Sequence, residues 1–148
     1  MNLSISDCLT MIKSSLQHAL GIALTVLAGH ACAGERVRIL SPWGTVNAVL
    51  ADNPSAHALL RRLPIELPMR DHLRQEKTGK LSSPLPEHTR TVQFINGDLG
   101  LWGQSDFVIY YANGTVPSPG IILLGRIEGE AQLFNRPGTT TVRIERAE

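Results

Sequence analysis

Apolar and polar residues alternate in short stretches over most of residues 36–145, with turn-forming clusters between them. The run RVRIL at 36–40 predicts a strand, and Ser41-Pro42-Trp43-Gly44 a turn in which proline presets φ and glycine relieves the exit. Residues 45–50 return as a second strand, giving an N-terminal hairpin. Asp52-Asn53-Pro54 reads as a helix start, an Asx cap followed by proline at the first helical position, where its missing N–H costs nothing. Ala56, Leu59, Leu60 and Leu63 recur at spacings of three and four, so one stripe of this helix faces a core, and Pro64 stops it.

Residues 65–69 predict a short apolar strand, 70–81 a polar loop, and 82–88 an extended loop, because Pro84 and Pro86 stand at alternate positions and preclude sheet pairing. Apolar runs follow at 92–95, 99–102, 107–111 and 121–127, separated by Asn96-Gly97-Asp98, Gly103, Asn113-Gly114 and Pro117-Ser118-Pro119-Gly120. The run at 107–111 is the most hydrophobic and is expected at the centre of the sheet. Gly125 marks a bulge or a point of close approach. Residues 130–134 predict one helical turn, and 139–145 alternates cleanly as a closing strand. Seven or eight short strands with one helix, and turn signals roughly every eight to twelve residues, predict an all-β barrel or sandwich.

The first thirty-three residues break this pattern. Residues 20–33 read LGIALTVLAGHACA, without charge or proline, the length of a signal-peptide apolar core and short of the ~20 residues that span a bilayer. The run ends in Ala31-Cys32-Ala33, a small-x-small cleavage pattern, and Lys13 supplies the positive flank. Asp7 is foreign to such a flank, and a start at Met11 removes it. The expectation is a signal peptide over 1–33 and one exported domain, periplasmic or secreted, over 34–148. Gly29-His30-Ala31 lacks the aliphatic residue of a lipoprotein signal, so no membrane anchor is expected after cleavage. Cys8 and Cys32 both fall in the signal, which leaves the mature domain without disulfide or thiol chemistry.

Composition narrows the function classes. With 43% hydrophobic and 18% charged residues the chain is not a disordered arm, and a formal net charge of +1 gives no electrostatic case for nucleic acid or an acidic membrane.

A family likeness rests on motifs in order. Asp52-Asn53-Pro54 and its helix, Leu63-Pro64-Ile65, Leu67-Pro68-Met69, the pair Glu76-Lys77, Gly97-Asp98-Leu99, the aromatic-ended run at 107–111, Gly125-Arg126-Ile127 and the closing run at 141–145 together resemble the bacterial cyclophilin-like domain family. The resemblance covers essentially the whole of 34–148 and implies a closed cyclophilin-type β-barrel of about eight strands with capping helices. It implies no activity. True cyclophilins isomerise proline bonds with an arginine over an apolar, aromatic-lined pocket, and the F-H-R-x-x-x-x-F-x-x-Q-G-G-D run is absent from this chain.

Candidate chemistry is sparse. His57, His72 and His88 lack ligand spacing, so neither metal nor cofactor is expected. Gly103-Gln104-Ser105-Asp106-Phe107 lacks the last glycine of a nucleophile elbow, and Gly97, Gly100 and Gly103 fit no phosphate loop. The best cluster is a charged rim, Arg70, Asp71, Arg74, Glu76 and Lys77, over an apolar floor of Met69, Phe94, Trp102, Tyr110 and Tyr111. Tyr110 and Tyr111 are adjacent in a strand, so at most one belongs to any single pocket. The binding residues expected are Met69, Arg74, Glu76, Phe94, Trp102 and Tyr111. The expected function is a module binding a small molecule or an extended peptide. The alternative is a peptidyl-prolyl isomerase, for which Arg126, in an apolar strand, is the candidate arginine.

Overall fold

The computed structural model describes residues 34–129 and 131–148, so the expected signal segment, with Met11 and both cysteines, lies outside the described residues. Ten strands, one α-helix and one short 3-10 turn follow in the order β1 (Arg36–Ser41), β2 (Gly44–Leu50), α1 (Pro54–Arg62), β3 (Ile65–His72), β4 (Glu76–Lys80), β5 (Gln93–Phe94), β6 (Asp98–Trp102), β7 (Asp106–Tyr110), β8 (Gly114–Thr115), β9 (Ile122–Ile127), the 3-10 turn (Gln132–Phe134) and β10 (Thr139–Arg146). Eight of the strands close an antiparallel barrel in the order β1-β10-β3-β4-β7-β6-β9-β2, and β5 pairs with β8 in a separate two-stranded sheet.

Alternation along the strands builds the interior. Val37, Ile39, Leu67, Met69, Leu99, Leu101, Phe107, Ile109, Val142 and Ile144 fill it, the period of two sending every second side chain inward. Helix α1 adds Ala56, Ala58 and Leu59 to the same core. Its start is capped as the sequence implies: Asn53 Oδ1 accepts from Ala56 N–H at 2.9 Å, with Pro54 at the first helical position. At the other end Arg62 donates to the carbonyls of Ser83 and Pro84, which ties the Pro-rich loop to the helix.

A second apolar cluster lies outside the barrel. Phe94, Val108, Tyr110, Val116 and Ile121 are buried there, with Trp102 and Leu123 packed against them. Phe94 of β5 stacks on Tyr110 at 3.9 Å between ring centroids. The segments carrying β5 and β8 therefore cover the outer face of β7, whose neighbours are β6 and β4. This explains the hydrophobicity of 107–111: a closed barrel has no centre, and β7 is buried on both faces.

The largest departure from the sequence expectation is at 70–81, where a hairpin replaces the polar loop. β3 extends to His72 and β4 begins at Glu76, with Asp71 opposite Lys77 and Arg70 opposite Thr78. The connection places two successive residues, Leu73 (φ 51°) and Arg74 (φ 54°), in the left-handed region. Glycine or asparagine usually takes such positions. The hairpin is thus made without its usual turn residues, and Leu73 projects into solvent, 73% exposed.

Gly125 serves both roles foreseen for it. The β6–β9 ladder passes from Leu99 opposite Gly125 to Gly100 opposite Leu123, leaving Leu124 as an extra residue. A Cβ on Gly125 would lie 2.4 Å from the Val49 carbonyl oxygen and 2.9 Å from Leu50 Cα, both backbone atoms of β2. Gly125→Ala should therefore cost about 1–3 kcal/mol, read as a lowered urea midpoint. Gly103→Ala meets no atom within 4 Å and carries only its positive φ, so it should cost less. Equal losses for the two would show that close approach is not what holds Gly125.

Candidate functional site

β4 carries two charged residues in succession, and both are enclosed: Glu76 is 1% exposed and Lys77 0%. Adjacent residues of a strand face opposite sides, so they enter different surroundings. Lys77 turns into the barrel, where Nζ donates to Asp71 Oδ1 at 2.8 Å, to Gly138 O at 3.3 Å and to the Arg136 carbonyl. The Trp43 ring lies 5.3 Å from the ammonium. Tyr111 donates to the same Asp71 oxygen at 2.6 Å. Burial works to raise the Asp71 carboxyl, but the hydrogen bonds from Lys77 and Tyr111 outweigh it and hold the group below its ordinary range. All three ammonium hydrogens have acceptors, and this cluster locks β3, β4 and the 135–138 segment together.

Glu76 turns outward, beside the edge of the cover. It lies opposite His72 on β3 and Tyr110 on β7. Its one side-chain hydrogen bond is a long one, from Gln75 Nε2 at 3.4 Å. No cation lies within ion-pairing distance of it among the described residues. Burial raises its carboxyl above the ordinary range; His72, Gln75, Tyr110 and Arg70 pull the other way and fall short. The Tyr110 hydroxyl is buried next to Glu76 and Trp102 without a well-formed hydrogen bond to either. Burial, and then the charge of Glu76, push that phenol up.

These groups floor a groove. Arg70, His72, Glu76, Thr78, Trp102 and Asp106 line a depression of about 320 Å³. Arg70, Thr78 and Asp106 also border a second depression of 410 Å³ floored by Pro68, Met69 and Gly79. Lys80 joins that one to a third of 500 Å³ between Ile65, Leu67, Ser83 and Arg62. Through these shared residues the three adjoin as a trough along β3 and β4, where β5 and β8 do not reach.

The expected binding residues do not converge. Glu76 and Trp102 share the groove. Met69 packs in the barrel core and only borders the second depression. Phe94 is buried under the outer cover, stacked on Tyr110. Tyr111 belongs to the barrel core and serves Asp71. Arg74 stands on the hairpin tip, 68% exposed, with Nε 4.0 Å from Asp71. For the charged rim the cause is local: read as a loop, 70–81 has no alternation, and read as strands it splits the rim between two faces. Arg70 faces the groove while Asp71 and Lys77 face the interior. His72, Thr78 and Asp106 line the groove without being expected there; the alternation 68-70-72 opposite 76-78-80 is the signal that finds the first two, and Asp106 follows from its place opposite Lys80 on β7.

Arg126 is engaged elsewhere. Its Nε and Nη2 bind Asp98 Oδ1 at 2.9 and 2.8 Å, while Asp98 Oδ2 accepts from Ile95 N–H. The depression it borders, with Val49, Leu50, Ala51, Leu123 and Gly125, holds no aromatic ring among the described residues. His57 sits on α1 paired with Asp52, His72 ends β3 and His88 lies in a loop. No group of three metal-ligating side chains occurs among the described residues, and none of their helices is long and apolar enough to cross a membrane.

Comparison with known proteins places this geometry. A family model described as the cyclophilin-like family matches residues 39–145. A similar fold is that of the hypothetical protein AF2241 from Archaeoglobus fulgidus, determined in solution, with a TM-score of 0.63 at 17% identity over 80% of this chain and 99% of that one. At that identity the likeness concerns the fold alone. No curated protein sequence matches the chain.

Glu76 makes a stability signature. In the unfolded chain it ionises near ~4.3, and in the fold it keeps its proton to higher pH. Between those two points the folded state binds more protons, so stability falls as pH rises and stays lower above the folded-state value. Glu76→Gln removes that loss. Its melting temperature should exceed that of the parent at pH 8, with the difference vanishing at about pH 3.5, where both acids are neutral. A difference of the same size at both pH values would show that the charge of Glu76 is not what the fold resists.

Proposed function

The chain belongs to the cyclophilin-like family, and from that premise we propose that it is an exported binding module whose site is the trough on the outer face of β3 and β4, taking a small molecule or an extended peptide. The observation that supports this reading most is the adjacency of the three depressions, which share Arg70, Thr78 and Asp106 on one side and Lys80 on the other. A strand rises about 3.3 Å per residue, so a trough following β3 suits a ligand that is itself extended. The first depression alone, at 320 Å³, is within the range of small-ligand sites, ~300–1,000 Å³. Export is supported by the apolar run ending at Ala33 and by a barrel whose eight strands all fall between Arg36 and Arg146.

Prolyl isomerisation is the second reading, favoured by one observation: Arg70 and Trp102 border the same groove. Lowering a barrier of ~18–20 kcal/mol calls for a water-poor pocket around the twisting bond. This groove instead presents Glu76, His72, Thr78 and Asp106 to its occupant, which suits polar recognition better than a proline ring.

The readings separate in two measurements. Selection from a degenerate hexapeptide pool should enrich a defined sequence class on the purified protein and fail on Thr78→Trp, which fills the trough; equal recovery from both proteins would overturn the site. A protease-coupled assay on a model proline peptide should show no acceleration. Acceleration that Arg70→Ala abolishes, with the melting temperature kept, would replace binding with isomerisation. N-terminal sequencing of the exported protein should begin at Gly34; recovery of the uncleaved chain from the cytoplasm would refute export.

A further inference from the structure

The buried charges of this domain follow a rule with one exception. Glu76, Lys77 and Asp98 are the acidic and basic residues enclosed among the described ones. Asp98 carries Arg126 at 2.8 Å and Lys77 carries Asp71 at 2.8 Å. Glu76 carries no cation at all among the described residues. An ionised group withdrawn from water without a partner is costly and persists only where something compensates it. Lys77 and Asp98 show how this fold compensates when the partner is its own.

A second observation points the same way. The Tyr110 hydroxyl, on a residue 0% exposed, stands beside Glu76 and Trp102 without a hydrogen-bond partner. A buried hydroxyl is normally satisfied. A carboxylate without a cation, held only by the long bond from Gln75, and an unpartnered hydroxyl thus meet under one wall of the groove, and the half-buried indole of Trp102 forms that wall.

We propose that this end of the groove is an anchor subsite for an organic cation, a primary ammonium or a guanidinium carried by the ligand, with Glu76 as its counter-charge. The proposal rests on the trough being the binding site and names what its Glu76 end selects. A charge-assisted N–H···O bond to a buried carboxylate is about twice as strong as a neutral one, and the Trp102 ring suits both the cation and the alkyl stem behind it. The other charged groups around Glu76 leave this role to the ligand. Arg70 and His72 from β3 border the groove without pairing to Glu76, and Asp106 from β7 adds a second negative charge. The trough runs on from this end toward Lys80, with Arg62 and Glu66 beyond it, so a basic side chain set in an extended peptide fits the charge pattern at the Glu76 end.

The test compares a blocked pentapeptide holding one arginine between alanines with its citrulline counterpart, which has the same shape without the charge. Butylguanidinium serves as the free small cation. Isothermal titration of the purified protein should give the arginine peptide about tenfold tighter binding than the citrulline peptide, a ratio worth about 1.4 kcal/mol. Glu76→Gln should bring the two peptides to equal affinity while keeping the fold, as its melting curve reports. Tighter binding of the peptide than of butylguanidinium identifies a peptide side chain as the source, and the reverse order a free amine. Equal affinity of the arginine and citrulline peptides for the parent, both lost in Thr78→Trp, would overturn the cation anchor and leave the trough standing as the site. No binding of any probe at millimolar concentration would overturn both. Should Glu76→Gln fail to fold, the arginine-to-citrulline ratio on the parent decides alone.

Discussion

Neighbouring side chains of a strand leave on opposite faces, and β4 meets that constraint with two charged residues in a row, both enclosed. The barrel accommodates Lys77 by building acceptors around it, drawn from Asp71 and from the backbone of the 135–138 segment. It cannot treat Glu76 the same way, because the outward neighbours are Tyr110, Trp102 and His72 rather than a seated cation. One ion pair inside and one lone carboxylate outside are the two consequences of a single register. A shift of β4 by one residue would exchange them and put the carboxylate in the barrel core.

The rest of the outer surface follows from where the cover stops. β5 and β8 bring Phe94 and their flanking residues over β7, so Tyr110 and Val108 are buried there. Beyond that edge, β3 and β4 present Pro68, Arg70, His72, Thr78 and Lys80 to solvent or to a ligand. The groove therefore stands on paired strands of a closed barrel, with Trp102 of β6 as its wall. Strand-borne sites hold their geometry better than loop-borne ones. The fold alone does not imply an activity; what it supplies here is a face of paired strands holding a buried carboxylate without a cation beside an unpartnered hydroxyl.

Much of this architecture is legible in the sequence, and the illegible part has a physical reason. The Asn53 cap, Pro54 and the 56-59 stripe set α1, and the close approach at Gly125 follows from a glycine inside an apolar strand. The β3–β4 hairpin is hidden because its turn uses Leu73 and Arg74 at positive φ in place of glycine, and because its strands carry charges on both faces. The sequence marks Glu76 as a candidate within a charged rim, and nothing near it in the chain signals its burial. That burial depends on Tyr110 and on Trp102, both distant in sequence. For the same reason Phe94 and Tyr111 look like pocket residues when aromatic content alone is weighed, and prove to be packing for two different cores.

The central claim is that the outer face of β3 and β4 is where this protein meets its ligand. Amide chemical shifts, followed while the arginine pentapeptide is added to the ¹⁵N-labelled protein, locate the contact residue by residue. The account predicts that the largest changes fall on Arg70, His72, Glu76, Thr78, Trp102 and Asp106. Changes confined instead to Gly34, Leu50, His57, Leu60 and Arg61, which line the 300 Å³ depression beside α1, would contradict it.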